Sequence, residues 1–247
     1  MTKLSVNINK VALIRNARGG NLPDLFRFAM DCEEFGAQGI TIHPRPDERH
    51  VRYSDIPILA SVIKTELNIE GYPSKDFLAL IRENKPGQCT LVPDPPGVLT
   101  SNAGWDVQEN KSFLTDVIQE IKSFGVRTSL FTEADAKTCD LAAEVGADRI
   151  ELYTGPYAKH FADNPEKAII PYINAATAAA GAGLGLNAGH DLNLENLRYF
   201  ADNIPGLLEV SIGHALISDA LYYGIKNTIL LYLNCLAGSG KNTELIK

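Results

Sequence analysis

Residues 28–54 read FAMDCEEFGAQGITIHPRPDERHVRYS and contain, in order, a helical pattern, a strand pattern and a charged loop. Phe28, Cys32 and Phe35 are spaced by four and three residues, which places apolar side chains on one face of a helix. Gly36 follows as a helix-ending glycine does, and the run GITI after it has the length of a buried strand. The segment HPRPDERH comes directly after that strand. The stretch therefore predicts one α/β unit with a polar loop at the end of its strand.

The same unit recurs along the whole chain. Gly125 and Gly146 each follow a helical stretch and precede a strand, and Ser54 and Ser74 stand where helix N-caps are expected. The predicted strands are short and closely bounded, as buried parallel strands are. They are residues 4–8, 39–42, 67–69, 88–92, 127–131, 149–152, 184–186 and 208–212.

Eight α/β units in 247 residues, with no linker between them, favour a closed (β/α)8 barrel, the TIM barrel of the α/β class. We expect residues 1–247 to form this single domain, ending in a frayed polar tail at 238–247. An open α/β sheet is the alternative, and neither nucleotide motif that would favour it is present. Residues 181–185 lack the third glycine of the dinucleotide fingerprint, and residues 238–243 depart from a Walker loop.

Composition and charge limit the partners and the compartment. The net charge of −7, without a clustered Lys/Arg stripe, argues against nucleic acid. Residues 1–10 contain no apolar run of signal-peptide length, and the Ala/Gly-rich stretch 168–189 is too weakly apolar to span a bilayer. We therefore expect a cytoplasmic protein with no membrane partner. The cysteines form no C-x-x-C pair and are expected as small buried side chains in a reducing compartment: Cys32, Cys89, Cys139 and Cys235.

Polar residues concentrate at the carboxyl ends of the predicted strands. In a barrel these ends converge on one mouth, so the side chains that follow them should meet there. They include Asn7, Asn9, Lys10, His43, Arg45, Glu70, Glu151, Thr154, Asn187, His190, Gly213 and His214, and all five histidines lie in segments that follow strands. His43, Glu70 and His190 are the candidate acid/base groups. The alternatives are side chains that only satisfy nearby backbone, and a metal site of two histidines and a carboxylate, although no H-x-H or H-E-x-x-H spacing occurs.

Two positions at the predicted mouth suit phosphate groups. Residues 187–190 and 211–214 each place a glycine and a histidine just past a strand, where backbone N–H groups and a helix N-terminus bind anions. Arg45, Arg49 and His50 form a second cationic cluster. For the two glycine-histidine segments, the alternative is that their glycines only form tight loops. Two anion sites indicate two phosphorylated ligands or one bisphosphate.

Two predicted loops are longer than the usual connections of about 2–6 residues. Residues 93–105 follow the fourth strand, and residues 155–165 follow the sixth. A long loop at a barrel mouth is a candidate lid that excludes water. Gly97 and Gly104 make the first loop the better hinge candidate, and a static packed loop is the alternative for the second.

The motifs together resemble those of the pyridoxine 5′-phosphate synthase family. The matching segments cover essentially the whole chain in order: VNIN at 6–9, RNARG at 15–19, GITIHPRPDERH at 39–50, NIE at 68–70, LVP at 91–93, ELYTG at 151–155, NAGH at 187–190 and IGHA at 212–215. The resemblance implies a (β/α)8 barrel with additional helices, assembled as a homo-octamer of dimers. It also implies condensation of 1-deoxy-D-xylulose 5-phosphate with 3-amino-2-oxopropyl phosphate, yielding pyridoxine 5′-phosphate, inorganic phosphate and water, without a cofactor.

The resemblance also assigns roles to single residues. The acid/base residues of the family fall on His43, Glu70 and His190. The proton transfers of the reaction favour His43 and Glu70 as bases and His190 as a donor, with single roles able to alternate between steps. The family's amino-ketone phosphate contacts fall on Asn7, Arg18, Gly213 and His214, and its sugar-phosphate contacts on Arg45, His50 and Thr100.

This chain departs from the family pattern at two places near those contacts. Asn9 and Lys10 stand where many members have Asp-His, and Asp191 replaces a common glycine beside His190. We count these three with the substrate-binding residues. Two other functions stay open: another phosphosugar lyase or isomerase on the same barrel, and a phospholigand-binding protein without catalysis.

Overall fold

Eight parallel strands close into one barrel in the computed structural model, which describes residues 1–94 and 103–238. Each strand pairs with its sequence neighbours, and β1 also pairs with β8 to close the ring. The strands are β1 Lys3–Asn7, β2 Gly39–Ile42, β3 Glu66–Gly71, β4 Gln88–Leu91, β5 Arg127–Thr132, β6 Arg149–Tyr153, β7 Gly185–His190 and β8 Leu207–Ile212. The predicted barrel and its eight strands are confirmed. Strands β3 and β7 are longer than predicted, so Glu70, Asn187 and His190 lie within strands.

Helices cover the outside of the barrel. They are α1 Asn9–Asn16, α2 Leu25–Glu34, α3 Ile56–Val62, α4 Lys75–Asn84, α5 Lys111–Ser123, α6 Ala136–Glu144, α7 Gly155–Phe161, α8 Pro165–Gly181, α9 Leu197–Asn203, α10 His214–Tyr223 and α11 Ile225–Leu236. In the described part of the chain, two helices instead of one follow β1, β6 and β8. Helices α1, α7 and α11 are therefore additional to a pattern of one helix per strand. Within the described residues, no helix is both long enough and apolar enough to cross a membrane.

Local signals in the sequence account for several helix ends. Gly36, Gly125 and Gly146 adopt φ values of 108°, 79° and 86°, as expected for glycines that end helices. Ser74 caps α4 by accepting a hydrogen bond from the Phe77 N–H at 3.2 Å. The prediction for Ser54 is wrong, because this serine lies inside a 3₁₀ turn, Tyr53–Asp55, that leads into α3.

The segment predicted as a long sixth loop is mostly helical. Residues 155–161 form α7, and only three residues separate it from α8. Pro156 stands in the first turn of α7, where its missing N–H costs nothing, and Tyr157 is completely buried. The loop alternatives for 155–165, a lid or a static packed loop, are therefore wrong.

The far end of the segment 93–105 is anchored. Trp105 is 6% exposed, its Nε1–H donates to the Leu91 carbonyl oxygen at 3.0 Å, and its ring stacks on Tyr72. At Gly104 a Cβ would collide with the backbone of Thr132, so a close approach to β5 accounts for this glycine without a hinge. Residues 95–102, which include Gly97 and Thr100, lie outside the described residues, as does the predicted tail after Gly238.

The two faces of the strands differ in polarity. Alternate residues such as Leu4, Val6, Ile40 and Ile69 are fully buried and face the helices, where the apolar core lies. The intervening residues point into the barrel and hydrogen-bond across it. Ser5 contacts Thr41 at 2.7 Å, and other bonds join Thr41 to Asn68, Asn68 to Thr90, and Arg149 to Asn187. The barrel interior is therefore polar, whereas inward layers of Val, Ile and Leu are usual in such barrels.

A buried ion pair fixes helix α1 to the loop after β2. The Arg15 guanidinium donates two hydrogen bonds to the Asp55 carboxylate, at 2.9 and 2.8 Å, and both side chains are buried. The neighbouring Asn16 donates from Nδ2 to three successive carbonyl oxygens, of Glu48, Arg49 and His50. Helix α1 thus holds the charged segment that follows β2.

We predict that Asp55→Asn lowers the free energy of unfolding by about 3 to 5 kcal/mol, because it leaves the buried Arg15 guanidinium without its counter-ion. The control is Asp31→Asn, which breaks the ion pair between Asp31 and Arg27. The Arg27 side chain is 65% exposed. That change should cost less than about 0.5 kcal/mol. Denaturant unfolding of the two variants gives the comparison, and equal losses would contradict the prediction.

Candidate active site

A cavity of about 470 Å³ opens at the carboxyl ends of the strands. Its volume lies within the range of small-molecule sites. Of the expected site residues in the described part of the chain, all except Arg18 line it: Asn7, Asn9, Lys10, His43, Arg45, His50, Glu70, His190, Asp191, Gly213 and His214. The convergence predicted from the strand ends is therefore present.

Strands β1 to β3 position the first group of these side chains. The Asn9 Oδ1 accepts a hydrogen bond from the His43 backbone N–H at 2.9 Å, which fixes the start of the loop after β2. His43 Nδ1 lies 3.9 Å from Glu70 Oε2, and Asn7 Nδ2 lies 3.5 Å from the same oxygen. His43 and Glu70 are only 9% and 12% exposed in their side chains. A histidine and a carboxyl thus face each other with little water around them.

The sequence predicts Glu151 at the barrel mouth but not among the candidate acid/base groups. It lines the cavity from β6 and is 3% exposed. At Gly189 on the neighbouring strand, a Cβ would collide with Glu151 Oε1, so this glycine makes room for the carboxyl group. The inward direction of Glu151 follows from the alternation of polar and apolar residues in β6, which is the signal that could have identified it.

Burial shifts the proton affinity of both buried carboxyl groups upward. It raises the pKa of Glu70 to about 8, with Arg45 opposing the shift and Asp94 and Glu209 adding to it. Burial likewise raises the pKa of Glu151 well above its ordinary value, and the charge of Glu70 adds to this. Because the two groups interact, each disfavours ionisation of the other. The cavity therefore contains carboxyl groups that hold a proton near neutral pH.

The histidines beside β2 shift in the opposite direction. Burial, followed by the charges of Arg45, His50 and Arg49, lowers the pKa of His43 well below its ordinary value. Burial, together with Lys10 and the two arginines, lowers the pKa of His50 to about 4. Both rings are therefore neutral at neutral pH, and the cationic surroundings that keep them so also suit an anionic ligand.

Arg45 has an acidic partner that the sequence did not reveal. Its guanidinium donates to Asp94 Oδ2 at 2.9 Å, and both side chains are less than 10% exposed. Asp94 comes from the segment after β4, so the pair joins two neighbouring loops at the mouth. A ligand phosphate at Arg45 would share this guanidinium with Asp94.

Strands β7 and β8 supply the opposite side of the cavity. Gly213 directly precedes α10, and a Cβ there would lie 3.1 Å from the Asn7 side chain. The backbone N–H groups at the start of this ten-residue helix suit a phosphate, as predicted. The prediction for 187–190 is wrong, because these residues belong to β7 and no helix begins until Leu197.

His190 ends β7 with φ of 98°, a conformation that costs a non-glycine residue about 1 to 3 kcal/mol. Its Nδ1 lies 2.8 Å from Asp191 Oδ2. Asp191 also lines the cavity, and its carboxylate is directed to the neighbouring histidine.

One expected site residue, Arg18, does not line the cavity within the described part of the chain. Arg18 is exposed and lies in the turn that follows α1. His160 follows β6 as predicted, but it lies on the exposed side of α7 and does not line the cavity. The roles expected of Arg18 and Thr100 stay predictions. Within residues 1–94 and 103–238, no three His, Cys, Asp or Glu side chains are grouped as metal ligands.

The fold and this cavity define a (β/α)8-barrel enzyme whose buried acid/base groups lie beside cationic side chains. The chain belongs to the family of the pyridoxal phosphate biosynthesis protein PdxJ, whose model matches residues 4–238. A pyridoxine 5′-phosphate synthase of Bacteroides fragilis is 59% identical over 236 residues, covering 96% of this chain and 100% of the relative. The enzyme of the same name from Cytophaga hutchinsonii is 60% identical over 233 residues, covering 94% of this chain and 98% of that relative.

Solved structures with the same fold are much more distant in sequence. Phosphoribosylanthranilate isomerase from Thermotoga maritima superposes with a TM-score of 0.60 at 12% identity, covering 96% of this chain and 99% of that one. Tryptophan synthase from M. tuberculosis gives a TM-score of 0.62 at 12% identity, covering 96% and 92%. At this identity the likeness concerns the barrel alone.

We predict that Glu70 makes the unfolding free energy fall as pH rises from about 5 to 8. The folded protein keeps the Glu70 proton up to a pKa of about 8, whereas the unfolded chain loses it near 4.5. The folded state thus binds more protons between these values, and stability from this group is complete below pH 4.5 and lost through pH 8.

Chemical unfolding at several pH values tests this prediction. The advantage of wild type over Glu70→Gln should shrink as pH rises, because glutamine cannot titrate. Glu83→Gln, an exposed carboxyl on α4, should keep the wild-type slope. A difference between wild type and Glu70→Gln that is independent of pH would contradict the prediction.

Proposed function

We propose that this enzyme condenses 1-deoxy-D-xylulose 5-phosphate with 3-amino-2-oxopropyl phosphate to pyridoxine 5′-phosphate, releasing inorganic phosphate and water. The observation that carries the proposal is the cavity itself, in which buried acid/base groups lie between two anion-binding positions. The names of relatives about 59% identical over nearly the whole chain support the same activity.

The two phosphates would bind on opposite sides of Asn7. The start of α10, with Gly213 and His214, suits the amino-ketone phosphate because helix N-termini attract anions. Arg45 and Lys10 suit the sugar phosphate because they place cationic donors beside β2, and the neutral His50 ring adds a hydrogen-bonding group there. This assignment follows the family resemblance and agrees with the placement of these residues around the cavity.

The reaction needs repeated proton transfers and no redox step. Joining the amine to the ketose, losing water, expelling phosphate and closing the aromatic ring each move a proton. We assign His43 and Glu70 as bases and His190 as a proton donor, and each positioned group contributes about 10² to 10⁴ in rate. Because the pKa of Glu70 is about 8, only its minor ionised fraction accepts a proton at neutral pH. Burial raises the pKa of Glu151 well above its ordinary value, and in its protonated form Glu151 would donate a hydrogen bond to oxygen atoms of the ligands. No cofactor takes part in this proposal.

Substrate binding would itself prepare His43 to act as a base. In the cavity, Arg45 and Arg49 lower the pKa of His43, which weakens it as a proton acceptor. A bound phosphate brings negative charge beside these arginines and offsets their effect. Burial is the largest cause of the low pKa of His43 and persists in the complex, so the bound phosphate would raise this pKa only by offsetting the part due to the arginines. Proton transfer would in this way be coupled to binding.

We further propose that the enzyme works in the cytoplasm as a homo-octamer of dimers. The family resemblance supports this assembly. Large apolar side chains at the end of α10 agree with it, because Leu221, Tyr222 and Tyr223 are 75%, 87% and 53% exposed. Exposed aromatic groups of this kind are typical of surfaces that pack against another chain.

The activity is tested by mixing the purified protein with both phosphates and measuring pyridoxine 5′-phosphate and released phosphate. We expect both products, and Glu70→Gln should lower kcat by about 10² to 10⁴ because glutamine cannot accept a proton. Glu83→Gln serves as the matched control and should retain full activity.

Three other results would contradict the proposal. Turnover of one phosphate alone would indicate a lyase or isomerase, and saturable binding without products would indicate a ligand-binding protein. Near-normal turnover by Glu70→Gln would remove Glu70 as the base.

Lys10→Met should raise the KM for 1-deoxy-D-xylulose 5-phosphate far more than the KM for 3-amino-2-oxopropyl phosphate. The physical reason is that Lys10 lines the cavity close enough to His50 to lower the pKa of that ring. Its charge therefore acts on the side of the cavity proposed for the sugar phosphate. Lys64→Met removes an exposed charge from the helix-to-strand turn before β3, at the other end of the barrel, and should change neither KM. Equal increases in both KM values would count against the assignment of Lys10.

A further inference from the structure

The backbone around His190 is held on both sides by side chains from neighbouring segments. The Thr154 hydroxyl donates to the Gly189 carbonyl oxygen at 2.6 Å and accepts a bond from the Asp191 N–H at 3.3 Å. The Asn196 side chain donates to the Asp191 carbonyl oxygen at 3.4 Å. These contacts bracket the unusual φ of His190 and turn the next carboxylate back towards its ring.

The carboxylate of Asp191 meets one particular nitrogen of His190. Nδ1 and Oδ2 are 2.8 Å apart, a distance typical of a charge-assisted hydrogen bond. This bond from His190 holds the pKa of Asp191 below its ordinary value; burial opposes the shift, and the charges of His190 and His214 reinforce it. An ionised carboxylate can only accept, so Nδ1 carries the proton.

Tyr153 fixes the plane of the same imidazole. Its ring meets that of His190 edge-on, with centroids 5.4 Å apart and an interplanar angle of 80°. With Nδ1 engaged by Asp191 and the ring lining the cavity, Nε2 is the nitrogen that can exchange a proton with a bound ligand.

We propose that Asp191 is a positioning residue that holds His190 in the Nδ1–H tautomer and presents Nε2 to the substrates. The inference rests on the proposed role of His190 as proton donor. When Nε2 takes up a proton, the carboxylate stabilises the imidazolium that forms, and the charged ring then gives the Nε2 proton to a leaving oxygen. The same logic applies to the carboxylates that orient histidines in hydrolase triads.

This role replaces the expectation that Asp191 binds substrate. Both proposed substrates are phosphate esters, and a carboxylate that faced them directly would repel them. Directed to His190 instead, the negative charge of Asp191 is partly neutralised by the imidazole. A contact through His190 is therefore the arrangement compatible with a phosphorylated ligand in this cavity.

The first test measures steady-state kinetics of Asp191→Asn, which keeps the shape but no longer requires a proton on Nδ1. We expect kcat to fall about 10- to 100-fold, less than the 10⁴-fold loss for a buried triad carboxylate, because Asp191 is 43% exposed and water partly replaces it. Both KM values should stay within about threefold, as expected for an interaction used mainly in the transition state. Asp191→Ala gives the same comparison if the asparagine variant is insoluble.

The decisive test is a double-mutant cycle with His190→Gln. If Asp191 acts through His190, adding Asp191→Asn to His190→Gln should change kcat by less than about twofold. If the kcat losses of the two single variants instead multiply in the double variant, the inference is overturned, because Asp191 would then act independently of the histidine. A kcat of Asp191→Asn within about twofold of wild type would overturn it too.

Controls separate these outcomes from a structural defect and from failure of the proposed function. Glu195→Gln removes an exposed charge from the same loop and should leave kcat unchanged. If Asp191→Asn lowers kcat only in proportion to a loss of thermal stability, the inference is wrong. If His190→Gln itself keeps full activity, the proposed proton donor is wrong and the role of Asp191 falls with it. If His190→Gln loses activity while the cycle is multiplicative, only the inference fails.

Discussion

Closing eight strands into a barrel sends every second side chain into a space with little room for water, and in this protein those side chains are polar. Buried polar groups generally need hydrogen-bond partners. Many have them inside this barrel, whereas Ser129 Oγ and Asn187 Nδ2 have none among the described residues. Away from the mouth, Arg127 pairs with Glu66 and donates to Gln88, so charge is balanced. At the mouth, Glu70 and Glu151 have no cation directly bonded to them among the described residues, and burial keeps protons on both.

The same enclosure produces opposite shifts in the two kinds of acid/base group. Burial penalises any charged form, so it raises the pKa of Glu70 and lowers that of His43. Cations beside β2 lower the pKa of His43 further, and they also form the surface that an anionic ligand needs. In the proposed function, a phosphate bound there would change the electrostatics of His43, so recognition and proton transfer would depend on the same few side chains.

Local patterns in the sequence were sufficient for the barrel, because short apolar runs and helix-ending glycines depend on neighbours only a few residues away. The polar barrel interior was not predicted, since the strands were interpreted as uniformly buried runs, although KLSVN and ELNIEG alternate clearly. Helix α7 was missed because Gly155 and Pro156 look like loop residues, yet they begin a helix whose Tyr157 is buried by tertiary packing. The pairing of Arg45 with Asp94 joins residues 49 positions apart, which no local pattern reveals.

The barrel alone does not select one reaction, because structures at 12% identity share it under different enzyme names. What distinguishes this cavity is the polar side chain at the end of β1, the strand that lies between β8 and β2. Asn7 at its end touches the start of α10 on one side and lies 3.5 Å from Glu70 on the other. One monophosphate would occupy only one of the two flanking anion positions. If two phosphorylated substrates occupied both positions, their reactive carbons would lie between the two phosphate groups. These carbons would then be beside the Glu70 carboxyl and the His43 ring, where a condensation needs its acid and base.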